Sequence, residues 1–141
     1  LDRVLNKKTC RKVLDIGCGS GILAIGAALL GHRVMAIDID EEAIGNAQIN
    51  AEHNRLLDAI LFQVAQPEDI DEAFEIVVAN IIAPVLIEIA PAIQRTCSHD
   101  LVLSGLLANQ EHDVRKAYGD WDVHDRHTIG DWIILHMRPK S

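Results

Sequence analysis

Val13-Leu14-Asp15-Ile16-Gly17-Cys18-Gly19-Ser20-Gly21 is the stretch that decides the fold of this 141-residue chain. A short apolar run ends in a turn with glycine at every second position, and an apolar stretch with helical character follows from Ile22 to Leu30. Strand, turn and helix in that order are the opening unit of a nucleotide-binding α/β domain. Glycine lacks a Cβ and tolerates positive φ, so a ligand can approach the backbone closely. The first N–H groups of the following helix have no partner within it and point at that ligand. The spacing separates two ligand classes. A dinucleotide site wants G-x-G-x-x-G, which would need glycine where Ile22 stands. Here Gly17, Gly19 and Gly21 alternate instead, with Asp15 ahead of them.

Downstream, the pattern of strand then helix repeats. Arg11–Ile16 is the first strand, and Ile22–Leu30 is apolar nearly all round, which predicts a well-buried helix closed by Gly31. Arg33–Asp38 is a second strand ending in an acid. In folds of this kind a carboxylate at that tip accepts hydrogen bonds from both hydroxyls of a ribose, a task for a fixed double acceptor. Asp38 is the residue placed for it, and Asp40 suits the N-cap of the helix Glu41–Asn54, with Glu41 and Glu42 in its first turn. That helix turns Ala43, Ile44 and Ala47 inward, and Gly45 weakens it by roughly 1 kcal/mol relative to Ala. Ile60–Val64 is a third strand and Glu75–Ala79 a fourth, with Asn80 directly after it. Pro84 opens a long apolar helix that Pro91 divides. Leu101–Gly105 is a fifth strand, Asn109–Tyr118 an exposed, charged helix, and Trp121–Thr128 with Trp132–Met137 a closing hairpin around Gly130-Asp131. Upstream, Leu1, Val4 and Leu5 sit at helical spacing before Lys8.

Alternation of strands and helices gives a mostly parallel sheet with helices on both faces, here extended by a C-terminal antiparallel hairpin. Right-handed crossovers bring the C-terminal ends of strands one, two and four to one sheet edge. Gly17 to Gly21, Asp38 and Asn80 are expected to converge there.

The bulk composition narrows the function. The length suits one domain. An apolar fraction of 49% is enough for a core, and only 4% aromatic residues make that core aliphatic. No apolar run reaches the ~20 residues of a membrane span, and Leu1-Asp2-Arg3-Val4 does not begin a signal peptide. The net charge of −8 argues against direct nucleic-acid binding and suits a basic protein or a small molecule as partner. Cys10, Cys18 and Cys97 form no C-x-x-C pair, which fits a reducing cytoplasm. Cys18 reads as a small residue filling a tight turn rather than as a nucleophile. His124, Asp125 and His127 do not read as a metal site, because adjacent strand residues face opposite ways. No metal is expected. Trp121 and Trp132 read as core or edge packing.

Leu14 to Ile25, with its D-x-G-x-G-x-G pattern, resembles motif I of the class I S-adenosylmethionine (SAM) methyltransferases, and the predicted architecture is their Rossmann-like fold. Ala36-Ile37-Asp38-Ile39-Asp40, Val77-Val78-Ala79-Asn80-Ile81-Ile82-Ala83, Leu103-Ser104-Gly105-Leu106-Leu107 with Gln110, and Gly130-Asp131-Trp132 extend the likeness. They make the chain similar, over nearly its whole length, to the PrmA-type enzymes that methylate ribosomal protein L11. The resemblance implies SAM as cofactor, S-adenosylhomocysteine as product, and trimethylation of protein amino groups (lysine or N-terminal amine), with a ribosomal protein as substrate in the cytoplasm. It also implies that Asp15, Gly17, Cys18, Gly19, Gly21, Asp38, Ile39, Gln66 and Asn80 contact the cofactor, and that Asn80 lies beside the reacting amine as the catalytic residue. Gln66 stands where related enzymes present an acid or amide to adenine, and it reads equally as a simple loop residue. Asn80 reads also as a cap for the helix after it.

Family members carry an N-terminal substrate-recognition domain, a linker and a Thr-containing closing segment. These would precede Leu1, so residues 1–141 are expected to be a single catalytic domain. Two segments depart from the family pattern: Ser98-His99-Asp100 replaces a Pro-Gly-Gly-type turn, and no acid directly follows strand three. The alternative function is a methyltransferase-fold module that binds the cofactor and interacts with partners without catalysis.

Overall fold

The first strand sits near the middle of a seven-stranded sheet, so the glycine turn leaves the sheet close to its centre. A computed structural model describes residues 2–5 and 9–141. A short helix α1 (Asp2–Leu5) precedes β1 (Lys12–Ile16). Leu1 and residues 6–8 of the upstream helical stretch lie outside the described residues. Then come α2 (Ile22–Leu29), β2 (Arg33–Asp38), α3 (Glu41–His53), β3 (Ile60–Val64) and β4 (Phe74–Asn80). The second half holds α4 (Ala83–Glu88), α5 (Ala90–Thr96), β5 (Cys97–Leu107), α6 (Glu111–Ala117), β6 (Trp121–Ile129) and β7 (Trp132–Pro139). The strand order is β3-β2-β1-β4-β5-β7-β6. β1 to β5 pair in parallel, and β7 joins β5 and β6 antiparallel.

Alternate residues of the parallel strands feed two separate cores, as a sheet covered on both faces requires. Leu14, Ile16, Val77, Ala79, Leu101 and Leu103 pack with α4, α5 and α6. Val13, Val34, Ala36, Ile76, Val78 and Val102 pack with α1, α2 and α3. Asp15 lies between Val13 and the turn on this second face, opposite Val78 in register.

Several expectations need correction. The helix after the glycine turn is not buried all round. Only Ala24, Ile25 and Ala27 are buried, and Ile22 is 71% and Leu29 64% exposed. A single helix against a sheet can bury only one stripe, whatever its opposite face carries. In α3 the inward set is Ile44, Ala47 and Ala51, with Ala43 half-buried. α6 begins at Glu111, after a 3-10 turn over Ala108–Gln110. It is anchored by Val114 and by the buried Tyr118, whose hydroxyl donates to the Leu86 carbonyl (2.8 Å). Trp121 is buried, whereas Trp132 at the hairpin tip is 53% exposed. Pro91 divides its stretch as expected, with α4 ending at Glu88 and α5 starting at Ala90.

At the sheet edge opposite the glycine turn, the fully buried carboxylate of Asp100 gathers four donors. Arg11 Nη1 (3.0 Å) and His99 Nδ1 (2.9 Å) meet one oxygen, and His136 Nε2 (2.7 Å) and Arg138 Nε (3.0 Å) meet the other. Burial alone would raise this acid, but the hydrogen bonds from His136, Arg138 and His99 outweigh it and hold it well below the usual carboxylate range. The Ser98-His99-Asp100 segment that departs from the family pattern is thus a structural tie between β1, β5 and β7.

Candidate active site

The C-terminal ends of β1, β2 and β4 meet at one edge, and two cavities open there. The first, of about 520 Å³, is lined by Asp15, Gly17, Cys18, Gly19, Asn80 and Ser104 among others. The second, of about 680 Å³, is lined by Gly17, Asp38, Ile39, Gln66, Glu68 and Asn80 together with the start of α4. Gly17 and Asn80 belong to both, so the cavities adjoin at the expected point of convergence.

The turn between them is held by its own backbone and by two side chains. The N–H groups of Gly17 and Cys18 donate to the Ile37 carbonyl (2.9 and 3.0 Å), and Gly21 N–H donates to Cys18 O (2.9 Å). Gly17, Gly19 and Gly21 all have positive φ. A Cβ at Gly21 would lie 3.0 Å from the Ala47 Cβ of α3, so this glycine serves helix packing. Gly21 lines neither cavity. Asn50 on α3 donates to Ser20 O (2.9 Å) and fixes the turn from behind. Asp38 Oδ2 accepts from Gly19 N–H and Oδ1 from Asp40 N–H, both at 3.0 Å. Each carboxylate oxygen keeps a second lone pair, so Asp38 is oriented and still able to accept two more hydrogen bonds. Asp40 caps α3 by accepting from Glu42 N–H (3.0 Å), as its sequence position indicated.

Asp15 is 2% exposed, and its Oδ2 is buried without a hydrogen-bond partner. Burial, with the Asp38 charge adding to it, pushes its carboxyl up to about 7. Native proteins seldom leave such an oxygen unpaired, and a ligand, an ion or an ordered water can supply the partner. Cys18 is a buried thiol pushed up to about 12 by burial and by the neighbouring Asp15 and Asp38, so it is not a nucleophile at neutral pH.

Beyond β3 the chain makes a 3-10 turn, Pro67–Asp69, on the rim of the second cavity. Asp69 Oδ2 accepts from Gln66 N–H (3.1 Å), and Gln66 and Glu68 are exposed on the lining of the second cavity. Arg95 at the end of α5 clamps this turn, donating to the carbonyls of Ile70 (2.5 Å), Pro67 (3.2 Å) and Glu68 (3.4 Å). Glu68 therefore places an acid beside Gln66 although none directly follows the strand. Asn80 is the last residue of β4 and does not cap α4, whose N-cap is Ile82. Sequence reading had no signal for Asn50 or Arg95, because each acts through a contact far away in the chain; Ser104 entered it only within the Ser-Gly-Leu-Leu segment, as a strand-end residue. Among the described residues no group of three His, Cys, Asp or Glu side chains is arranged to hold a metal ion.

Residues 1–140 match the family model described as ribosomal protein L11 methyltransferase (PrmA). The chain belongs to the PrmA family. Among curated relatives, the ribosomal protein L11 methyltransferase of Marinobacter nauticus is 41% identical over 136 residues, covering 93% of this chain and 45% of its own length. That of Marinomonas sp. is 40% identical over 129 residues, covering 89% and 44%. The chain thus spans a little under half the length of these relatives. In structure it is similar to a ribosomal protein L11 methylase from Lactobacillus delbrueckii subsp. bulgaricus, with a TM-score of 0.89 and 31% identity over 94% of this chain and 72% of that one. The fold is shared with the magnesium protoporphyrin IX methyltransferase of Synechocystis, solved with bound SAM, at a TM-score of 0.84 and 20% identity. The sheet order and glycine cradle are accordingly those of the class I methyltransferase fold that the PrmA family uses.

Proposed function

We propose that this chain is the catalytic domain of a SAM-dependent protein methyltransferase that trimethylates amino groups of ribosomal protein L11 in the cytoplasm. The observation that carries the reading is the pairing of an orphaned, buried carboxylate oxygen on Asp15 with an oriented double acceptor on Asp38, in two cavities that adjoin at Gly17 and Asn80. SAM carries an α-ammonium group at its amino-acid end and a ribose diol further along, and the two acids suit these two groups. When bound, SAM supplies an electrophilic methyl group on a sulfonium.

The Asp15 carboxylate would accept from the α-ammonium group, which would supply the missing partner of Oδ2. The Gly17–Gly19 backbone would hold the amino-acid part, with Cys18 filling space in the turn. Asp38 would accept from the ribose hydroxyls, and Ile39, Gln66 and Glu68 would hold the adenine. Asn80, shared by both cavities, accepts from an N–H of the incoming amine. Catalysis of this kind is mostly positioning, which is what a rigid strand end provides. The acidic net charge of −8 favours approach of a basic protein. No helix among the described residues is long and apolar enough to cross a membrane.

The test is transfer of labelled methyl groups from SAM to purified L11, with mass spectrometry of the product. The wild type is expected to build trimethylated amines, and Asn80→Ala to lose most of the rate while still binding S-adenosylhomocysteine. Cofactor binding with no transfer to L11 would instead favour the catalytically silent module.

A further inference from the structure

We infer that Ser104 is a second residue in contact with the acceptor amine, working beside Asn80 on the neighbouring strand. The inference rests on the proposed methyl transfer to amines and adds a residue whose role depends on how many hydrogens the amine carries.

Asn80 and Ser104 are register partners in the parallel β4–β5 pair. Parallel partners project side chains to the same face, with backbones about 4.8 Å apart. Both line the cavity that also holds Asp15, Gly17 and Gly19. The Ile81 N–H donates to the Ser104 carbonyl (3.1 Å), which ties the chain leaving Asn80 to β5. Neither the Asn80 amide nor the Ser104 hydroxyl has a hydrogen-bond partner among the described residues. Two polar groups on adjacent strands thus face one cavity uncommitted.

The backbone shows that this position is built. Leu103 pairs with Leu135 and Leu106 with Ile133, so β5 carries one more residue than β7 across this interval. That extra residue is a β-bulge at Ser104-Gly105, a device that re-aims side chains. Gly105 takes φ +90, and a Cβ there would lie 2.6 Å from the Ile81 carbonyl oxygen and 2.9 Å from its carbon. Only glycine lets β5 close against the Asn80–Ile81 backbone while Ser104 turns to the cleft.

The chemistry gives the second acceptor a task. In methyl transfer the amine lone pair forms the new N–C bond as the C–S bond of the sulfonium donor breaks and its electron pair returns to sulfur. A neutral primary amine has one lone pair and two N–H bonds. Aiming the lone pair at the methyl leaves two N–H groups to be received, one by Asn80 Oδ1 and one by Ser104 Oγ. Positive charge grows on nitrogen during the displacement, so both hydrogen bonds strengthen in the transition state. The product ammonium then loses a proton to solvent before another transfer. Each added methyl replaces an N–H, so a dimethylated amine has none left to donate.

The experiment compares wild type with Ser104→Ala on L11 carrying unmodified amines and on L11 whose amines have been reductively dimethylated, with SAM affinity measured in parallel. Ser104→Ala is expected to lower kcat on the unmodified substrate roughly tenfold, the effect of one lost hydrogen bond that matters in the transition state. Its rate on the dimethylated substrate and its SAM affinity should match wild type. Equal loss on both substrates, no loss on either, or a tenfold weaker SAM affinity would each overturn the inference. A wild-type protein inactive on both substrates overturns the proposed function and this inference with it. If wild type acts on the unmodified substrate alone, trimethylation is wrong, and an unchanged Ser104→Ala rate on that substrate still overturns the role of Ser104.

Discussion

At the residue scale two acids with opposite constraints, Asp38 and Asp15, frame the cleft. Asp38 is half-buried and is held by the Gly19 and Asp40 N–H groups, so its remaining lone pairs are aimed before any ligand arrives. Asp38→Ala should weaken S-adenosylhomocysteine binding by about 1.5–3 kcal/mol, the range for hydrogen bonds to a charged group, with little change in melting temperature. Calorimetry and a thermal melt check the two halves. Asp15 behaves differently. Its folded pKa of about 7 lies above the ordinary value for an unfolded chain, so the native state holds the proton more tightly. This group therefore lowers stability as pH rises from about 4 to about 7. A ligand ammonium beside Oδ2 reverses the preference and favours the carboxylate. Cofactor binding below pH 7 should release a proton, and affinity should rise with pH until about 7 and then level off. Calorimetry at pH 6.5 in buffers of different ionisation enthalpy reads that proton. Asp15→Asn should abolish the release, weaken binding and raise the melting temperature of the free protein at pH 8.

At the scale of elements the site depends on pieces that come from distant parts of the chain. Arg95, at the end of α5, fixes the turn after β3 through three carbonyls, so it positions Gln66 and Glu68 without facing the cleft itself. Arg95→Ala should weaken SAM binding about tenfold through this loosened wall, and kcat at saturating SAM should be close to wild type. A loss confined to kcat would show that the turn does not meet the cofactor. The glycine turn, Asp38 and Asn80 were legible in the sequence because each sits at the end of a strand that announces itself by a local apolar run. The Ser104-Gly105 bulge was not legible as a bulge, since it exists only relative to the spacing of β7. Overstating the burial of α2 has a related cause: Ile22, Leu29 and Leu30 satisfy an apolar pattern, but the sheet offers one face and Ala24, Ile25 and Ala27 occupy it. Asp100 read as part of a loop, and its role as an ionic tie needs Arg11, His136 and Arg138, which lie far from it in sequence.

At the scale of the whole molecule, the sheet separates stability from chemistry. One edge carries the cleft, and the opposite edge carries Asp100 with its four donors. Asp100→Ala should destabilise the domain by about 3 kcal/mol, since it strands two guanidinium groups that are only partly hydrated. Because the folded pKa of Asp100 is depressed, its contribution is full at neutral pH and is lost only in strong acid. Urea unfolding at pH 7 measures the loss, and the cofactor affinity of the surviving folded fraction should be unchanged. The cleft itself is framed by β1, β2, β4 and β5, so cofactor binding should tie together much of the sheet and raise the melting temperature with ligand concentration. If the cleft holds SAM between Asp15 and Asp38, titration calorimetry of the folded chain with S-adenosylhomocysteine reads that binding. One site per chain is expected, with affinity cut at least tenfold by Asp38→Ala and by Asp15→Asn. No heat of binding from a folded sample, or binding indifferent to both substitutions, would contradict it.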